Sequence, residues 1–309
     1  MTGYLHAAYA SAFVEHGEPL LLPASQGWLI RRAIAGTAEA DAMGCYPFLA
    51  CRNWRGLDED LQALDDDLVS VTVVTDPLGE FEPDDLRRAF PDLVRFYKKH
   101  FIADLSQPLR SFVSSHHQRN ARQALSHLSV ERCPSDSALD EWVQLYQHLI
   151  VRHSISGLAA FSRDSFARQL QVPGLVIWRA VEAGRTVGMT LWYQNAERAD
   201  YHLAAYTPRG YELKASAALF WRAFEEFAAA GVRRVVLGAG AGISNDGSDG
   251  LTRFKRGWAN ETRPVYLCGR IGRRRAYEQL TGRATADESS FFPAYRQPVA
   301  AHASASVRS

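Results

Sequence analysis

The chain has 309 residues, of which 47% are hydrophobic and 22% charged; that is enough apolar material for sizeable cores, excludes global disorder and favours two domains over one. Thirty-five Lys and Arg against 34 Asp and Glu exclude a general positive field, so any phosphate or nucleic-acid contact must come from local clustering. Cys45, Cys51, Cys133 and Cys268 form no CxxC pair and have no His at metal-ligand spacing, and no stretch approaches the roughly 20 apolar residues of a membrane span, so a cytoplasmic, soluble, metal-free protein with reduced thiols is expected.

In chain order, the first third alternates short patterns: a helix over 5–15, strands over 27–35 and 46–52, and the β-branched run LVSVTVVT from Leu68, stopped at Asp76-Pro77. EPDDLRRAF predicts a short helix with acids in its first turn, LVRFYKKHFIADL a strand, and the basic segment SFVSSHHQRNARQAL a helix. From Ser129 the pattern restarts with the strand SVERC. Next, Leu139, Trp142, Val143, Tyr146, Leu149 and Ile150 recur at helical spacing, and a second helix follows over 162–170. GLVIWRAVEAGRTVGMTLWYQNAERADYHLAAYTP holds three strands of an antiparallel meander. KASAALFWRAFEEFAAAGV is an amphipathic helix ending at Gly231, a glycine suited to close it, and the strand RRVVLG follows at once. Then come a glycine-rich loop, GAGAGISNDGSDG, a short helix, GLTRFKRGW, and a last strand, TRPVYLCGRI. The tail, 297–309, is small and polar and is expected to be disordered.

The segments YHLAAYTPRGYELKASAALFWRAFEEFAAAGVRRVVLGAGAG and DGLTRFKRGWANETRPVYLCGRI, with Gly250, Phe254, Lys255 and Gly257 as the specific part, resemble the C-terminal half of the Fem-type peptidyltransferases and related GNAT acyltransferase domains. The resemblance covers roughly 130–275. It implies a mixed α+β (α/β) fold: a GNAT-like mixed sheet flanked by helices in two tandem halves, a degenerate N-terminal half (1–128) and an acyltransferase half (129–280). One departure stands out. GNAT enzymes that bind acetyl-CoA carry a glycine-bearing turn after the fourth strand, where bare amides cradle the pyrophosphate. Here only Arg209 and Gly210 fit, with Glu212 and Lys214 in the places of glycines; the Fem-type family also lacks such a turn, because its donor is an aminoacyl-tRNA.

Acyl transfer to an amine needs aligned reactants, a proton acceptor and a stabilised oxyanion. The resemblance places Lys255 near the reacting carbonyl with Phe254 packed beside it, and Arg209 and Gly210 at the donor turn. Gly238, Gly240 and Gly242 leave a strand almost bare of side chains, which permits close approach of substrate to backbone amides. Alternation puts His202 on one face of its strand with Ala204 and Tyr206, opposite Tyr201 and Leu203, and makes His202 a candidate base. Tyr206 or Tyr211 is a candidate relay, and His153 a further candidate base. No G-x-S-x-G elbow appears, so direct attack is expected over a covalent serine mechanism.

Two basic clusters stand out: Arg110, His116, His117, Arg119 and Arg122, and Arg253, Lys255, Arg256, Arg263, Arg270, Arg273, Arg274 and Arg275, the latter opposed in sequence only by Glu261. The leading expectation is an N-acyltransferase that uses acyl-CoA as co-substrate, with no permanently bound cofactor, and acts on a small-molecule or precursor amine. The alternatives are transfer from an aminoacyl-tRNA and a non-catalytic binding module. The acceptor, the acyl chain and the oligomeric state are not legible in the sequence.

Overall fold

The structure is a computed structural model and describes residues 1–155, 157–240, 249–282 and 291–297. The first half runs α1 (Ala7–Ser11), β1 (Glu18–Leu22), β2 (Gly27–Ala33), β3 (Ala40–Gly44), α2 (Leu57–Gln62), β4 (Ser70–Val74), α3 (Pro83–Ala89) and β5 (Leu93–Asp104). After α4 (Leu109–Phe112) and α5 (Ser115–Leu125) come β6 (Ser129–Arg132), α6 (Leu139–His153), α7 (Arg163–Gln169), β7 (Leu175–Glu182), β8 (Arg185–Gln194) and β9 (Arg198–Tyr206). The chain continues through α8 (Pro208–Glu212), α9 (Ala215–Ala229), β10 (Arg234–Gly238), α10 (Gly250–Arg256), β11 (Glu261–Ile271) and α11 (Arg274–Thr281).

Among the described residues, eleven strands form one mixed sheet in the order β1-β2-β3-β4-β11-β5-β10-β9-β8-β7-β6. The pairing repeats. β1, β2 and β3 pair antiparallel and β3 pairs parallel with β4; β7, β8 and β9 pair antiparallel and β9 pairs parallel with β10. Each parallel strand then meets the closing strand of the opposite half, β4 against β11 and β10 against β5, and the two closing strands pair with each other. Two tandem GNAT-like halves have therefore exchanged their last strands, which fuses them into one continuous sheet.

Helices cover both faces. α1, α6 and α7 lie over a core shared by both halves, which includes Ile30, Ile102, Met189, Leu203 and Val236. On the opposite face, α9 packs Phe220, Phe224 and Phe227 against Trp192 of the second half, while α2 and α3 cover the first half through Leu57, Leu61, Leu86 and Ala89. α9 closes as its sequence predicts: Gly231 adopts φ +82°, and the amides of Gly231 and Val232 return to Ala228 and Phe227.

The first third departs from expectation in three places. The helix expected over 5–15 shortens to α1. Residues 46–52 form no strand; Pro47 has no N–H to give a ladder, and only Leu49 makes a bridge, to Thr75. Strands β1 and β3 and helix α2 were not expected at all. ADAMG of β3 has weak strand preference but lies between two cores with four of its five residues buried, so burial fixes its conformation. The four cysteines are free thiols, three of them buried. Among the described residues no helix is long and apolar enough to cross a membrane, and no cluster of metal-ligating side chains exists. The tail from 298 on lies outside the described residues.

Candidate active site

β9 and β10 pair in parallel from Arg234↔Arg198 to Val236↔Asp200 and then part. The opening is a cavity of about 340 Å³, walled by Tyr201 and His202 of β9, by Gly238, Ala239 and Gly240 leaving β10, and by Leu251 and Lys255 of α10. The first half supplies the far wall: Tyr4, Tyr46, Phe48, Val74, Tyr97, Lys98 and His100. The cavity is thus built by both halves.

The GL..FK.G segment is ordered by its own chemistry. Asp249 caps α10 by accepting the amide of Thr252 at 2.9 Å. Residues 251 and 255 lie one turn apart on the side that faces the cavity, whereas Phe254 points to the opposite side. Gly257 ends the helix where it meets α5: a Cβ there would stand 2.4 Å from the His117 ring, and the Gly257 carbonyl accepts the Ser114 amide at 2.9 Å. Gly240 is equally constrained, since a Cβ would meet Thr252 Oγ1 at 1.9 Å. Gly238 takes φ +77°, and a Cβ on it would lie 3.2 Å from Lys255 Nζ. Gly242 lies outside the described residues.

Lys255 is buried. Its Nζ donates to the Ala239 carbonyl at 2.6 Å and lies 5.7 Å from the centre of the Tyr201 ring. Burial pushes its pKa down to about 7; the neighbouring charge of Lys98 adds to this and Asp249 opposes it. Lys98, also buried and shifted downward chiefly by desolvation, donates to the Gly240 carbonyl at 3.2 Å. His100 is 6% exposed, and its Nδ1 has no hydrogen-bond partner. Desolvation, reinforced by Lys255, Lys98 and Arg198, pushes its pKa to about 3, so the imidazole is neutral. Asp200, on the same cavity, is held by Arg198 at 2.6 Å, and Arg198 also donates to Asp76 of the first half at 2.6 Å. Burial raises the Asp200 carboxyl to about 6 against the pull of Arg198, and Asp76 reinforces the rise.

Several expected site residues stand elsewhere. The β8–β9 register shifts between Leu191 and Trp192, and this bulge puts His202 with Leu203 in the core under α1, α6 and α7, while Ala204 and Tyr206 face α9. His202 lines the cavity, but both its nitrogens are engaged, Nδ1 with the Tyr4 hydroxyl at 3.1 Å and Nε2 with Gln169 Oε1 at 2.8 Å. Burial pushes its pKa to about 3. It is a satisfied neutral core histidine and has no free nitrogen to accept a proton. Tyr206 packs on Tyr211 beyond Gly188 and does not line the cavity. Phe254 packs against Phe220, His117 and Trp258 and anchors α10 to the helices behind it.

The turn after β9 does not form a phosphate cradle. Arg209 binds Glu182 and Glu212. Gly210 is demanded by the Val187 carbonyl, 2.0 Å from where its Cβ would stand, and its amide goes to Thr207 Oγ1. The amides of Tyr211, Leu213, Lys214 and Ala217 also bond within the turn. His153, exposed at the end of α6, is not on the cavity. Sequence reading missed Lys98, His100 and Asp200. The available signal was that Lys98 and His100 alternate with buried Ile102 on one face of β5.

Residues 113–256 match the family described as acetyltransferase (GNAT) domain. No curated protein sequence matches the chain significantly. Three solved structures share the fold over most of the chain. FemX superposes with a TM-score of 0.65 at 10% identity, covering 88% of this chain and 93% of its own. The C-terminal domain of an Agrobacterium fabrum protein described as a lysylphosphatidylglycerol synthetase gives 0.60 at 13% identity, covering 88% and 90%. A conserved protein of unknown function from Bacteroides thetaiotaomicron VPI-5482 gives 0.55 at 11% identity, covering 85% and 90%. Residues 113–256 are accordingly similar to a GNAT acetyltransferase domain, and the fold over most of the chain is shared with FemX.

Proposed function

We propose that the protein is an acyltransferase that moves an activated acyl group onto an amine by direct attack within the β9–β10 cavity. The observation that carries this reading is the buried ammonium of Lys255, fixed by the Ala239 carbonyl beside the glycine-rich segment 238–240. In the reaction the amine nitrogen bonds to the donor carbonyl carbon and the carbonyl electrons move to oxygen. The charged form of Lys255 stabilises that oxyanion in a low-dielectric site. Collapse expels the donor's leaving group, and the proton lost by the amine goes with it or to water. Neither His202 nor Tyr206 is needed as a base in this scheme.

Of the two donors, the turn after β9 favours an aminoacyl ester, such as an aminoacyl-tRNA, over an acyl-CoA thioester, because the amides of Gly210, Tyr211, Leu213, Lys214 and Ala217 are bonded internally and a carboxylate, Glu212, takes the place of a glycine in the turn. We place the acceptor, a small-molecule or precursor amine, in the same cavity. We retain the functional division at 1–128 and 129–280, with β5 and β11 exchanged between halves, and a cytoplasmic setting. The test is transfer followed by mass spectrometry, with aminoacyl-tRNA and acetyl-CoA as donors against a panel of primary amines. Thermal shift runs alongside it, since saturation at about 100 times Kd stabilises by about 2.7 kcal/mol. Transfer from the aminoacyl ester, lowered about 10²–10³-fold in Lys255→Met, is expected. Transfer from acetyl-CoA alone overturns the donor assignment, and transfer from neither overturns the reading.

A further inference from the structure

The two basic clusters of the sequence have different fates in the fold. In the second cluster, acids of the first half hold three of the arginines: Arg270 binds Asp65 and Asp58, Arg273 binds Glu39, and Arg274 binds Asp92. Arg263 is bound by Glu261. Arg253 and Arg256 are not held in this way. Together with Arg110, Arg119 and Arg122 they are exposed, and among the described residues none of the five has an ion-pair partner. In a chain of net charge +1, these exposed cations without an ion-pair partner among the described residues make a local positive field.

Two of these charges, Arg253 and Arg256, line a defined groove. Between the start of α5 and α10 lies a cavity of about 580 Å³ whose wall includes His116, Arg253, Phe254 and Arg256. Arg119 follows His116 by one turn of α5. The floor is rigid: His117 stacks on Trp258 at 5.1 Å and 15°, and its Nε2 bonds the Phe254 carbonyl at 3.0 Å. α10 is the wall shared with the active-site cavity. It gives Leu251 and Lys255 to one side and Arg253, Phe254 and Arg256 to the other. A molecule lying in the groove is therefore separated from Lys255 by the thickness of one seven-residue helix.

We propose that the α5–α10 groove binds the phosphate-bearing carrier of the acyl donor, through Arg253, Arg256 and the α5 arginines, and so delivers the acyl end around α10 into the β9–β10 cavity. This rests on the acyltransferase reading and assigns the part of the donor that the turn after β9 does not hold. Guanidinium groups free of carboxylates suit phosphodiester oxygens, which they bind through paired N–H donors.

The test is fluorescence anisotropy of the full chain with a labelled single-stranded 12-mer oligoribonucleotide, with CoA and inorganic phosphate as competitors, over a salt series. Binding should weaken with salt, and Arg253→Gln/Arg256→Gln should weaken it at least tenfold and reduce the slope of log K against log salt by about 1.4, from roughly 0.7 per phosphate contact on a single strand. Arg119→Gln/Arg122→Gln should act in the same direction, and the charge-matched control Arg185→Gln/Arg275→Gln should not. Competition by CoA at equal phosphate concentration identifies a nucleotide thioester as the carrier; failure of CoA to compete identifies an RNA end. Absence of binding to both, or binding that the Arg253/Arg256 pair does not weaken, overturns the proposal. Lys255→Met separates the two readings: groove binding persists in it, so binding without any transfer in the wild type sinks the acyltransferase reading and leaves the groove standing.

Discussion

Lys255 Nζ and the carbonyl oxygen of Ala239 lie 2.6 Å apart, and this bond ties the helix that carries the family's FK motif to the loop leaving β10. It is one of two such ties, since Lys98 of the first half reaches the next carbonyl, that of Gly240. The wall of the β9–β10 cavity is therefore pinned from both halves by buried lysines. Both are destabilised in their charged forms by burial, a cost that a purely structural helix would have no reason to carry.

Lys255→Met is expected to lower transfer by about 10²–10³-fold, the range for loss of one oxyanion donor, and at the same time to stabilise the fold near neutral pH. The sign follows from the shift from 10.5 to about 7. Between these values the unfolded chain binds more protons than the folded one, so wild-type stability rises with pH from about 7 to about 10.5 and carries its full penalty below 7. The variant lacks the penalty. Urea unfolding at pH 6.5 and pH 10 checks this: the stability gain should be larger at pH 6.5, and an equal gain at both would refute a depressed lysine.

Acid should act through the buried histidines. His100 and His202 are both pushed from 6.5 to about 3 by burial, so each contributes stability that is complete above pH 6.5 and is lost as pH falls toward 3. The two protons these histidines take up only on unfolding contribute a slope of about 2.7 kcal/mol per pH unit in the middle of that window, and the raised Asp200 carboxyl, which binds its proton first in the folded chain, offsets part of it. His202→Asn should remove about half of the histidine contribution, about 1.4 kcal/mol per pH unit, while leaving the pH dependence of transfer unchanged, because its ring is committed to Tyr4 and Gln169. A variant that shifted the pH–rate profile would restore His202 as a base.

Gly257 and His117 make a tight pair across α10 and α5. With 2.4 Å between an added Cβ and the ring, Gly257→Ala should cost about 1–3 kcal/mol by overpacking. His117→Ala opens the space but gives up the stack on Trp258 and the bond to Phe254. The double variant should be less destabilised than the sum of the singles, with a coupling of at least about 0.5 kcal/mol in a thermodynamic cycle. Additive effects would show that the contact relaxes without cost.

How much of this was legible depended on the range of the interactions. α9, its closing glycine and the GL..FK.G helix were readable because capping, amphipathic spacing and a glycine stop act within one turn. β3 was not, because nothing in ADAMG prefers a strand until two cores close on it. The exchange of β5 and β11 joins residues more than 150 positions apart, and no local signal encodes it. His202 went to the wrong face because strict alternation fails at a bulge. Lys98 and His100 escaped notice because a lysine and a histidine in an alternating strand read as its wet face, yet here that face looks into the cavity. Arg270, Arg273 and Arg274 read as part of one basic cluster because their acidic partners lie in the other half of the chain.

The halves are also joined by charge. Arg198 on β9 is bonded to Asp76, just beyond β4, and to Asp200, and its guanidinium lies 5.3 Å from the Phe48 ring. A buried cation between two carboxylates gives little net stability compared with neutral packing, but its loss strands both anions. Arg198→Met should therefore destabilise by about 3–5 kcal/mol at pH 7. With the guanidinium gone the Asp200 carboxyl rises further from its value of about 6, so folding is favoured at low pH and lost as pH climbs through that folded value; the defect should ease below pH 6 and deepen above it. Asp76→Asn/Arg198→Met/Asp200→Asn removes all three charges and should recover most of the lost stability. If the triple variant is as unstable as Arg198→Met, the contribution of Arg198 is packing on Phe48 and not compensation of Asp76 and Asp200. Urea unfolding of the wild type and both variants at pH 5 and pH 8 separates these outcomes.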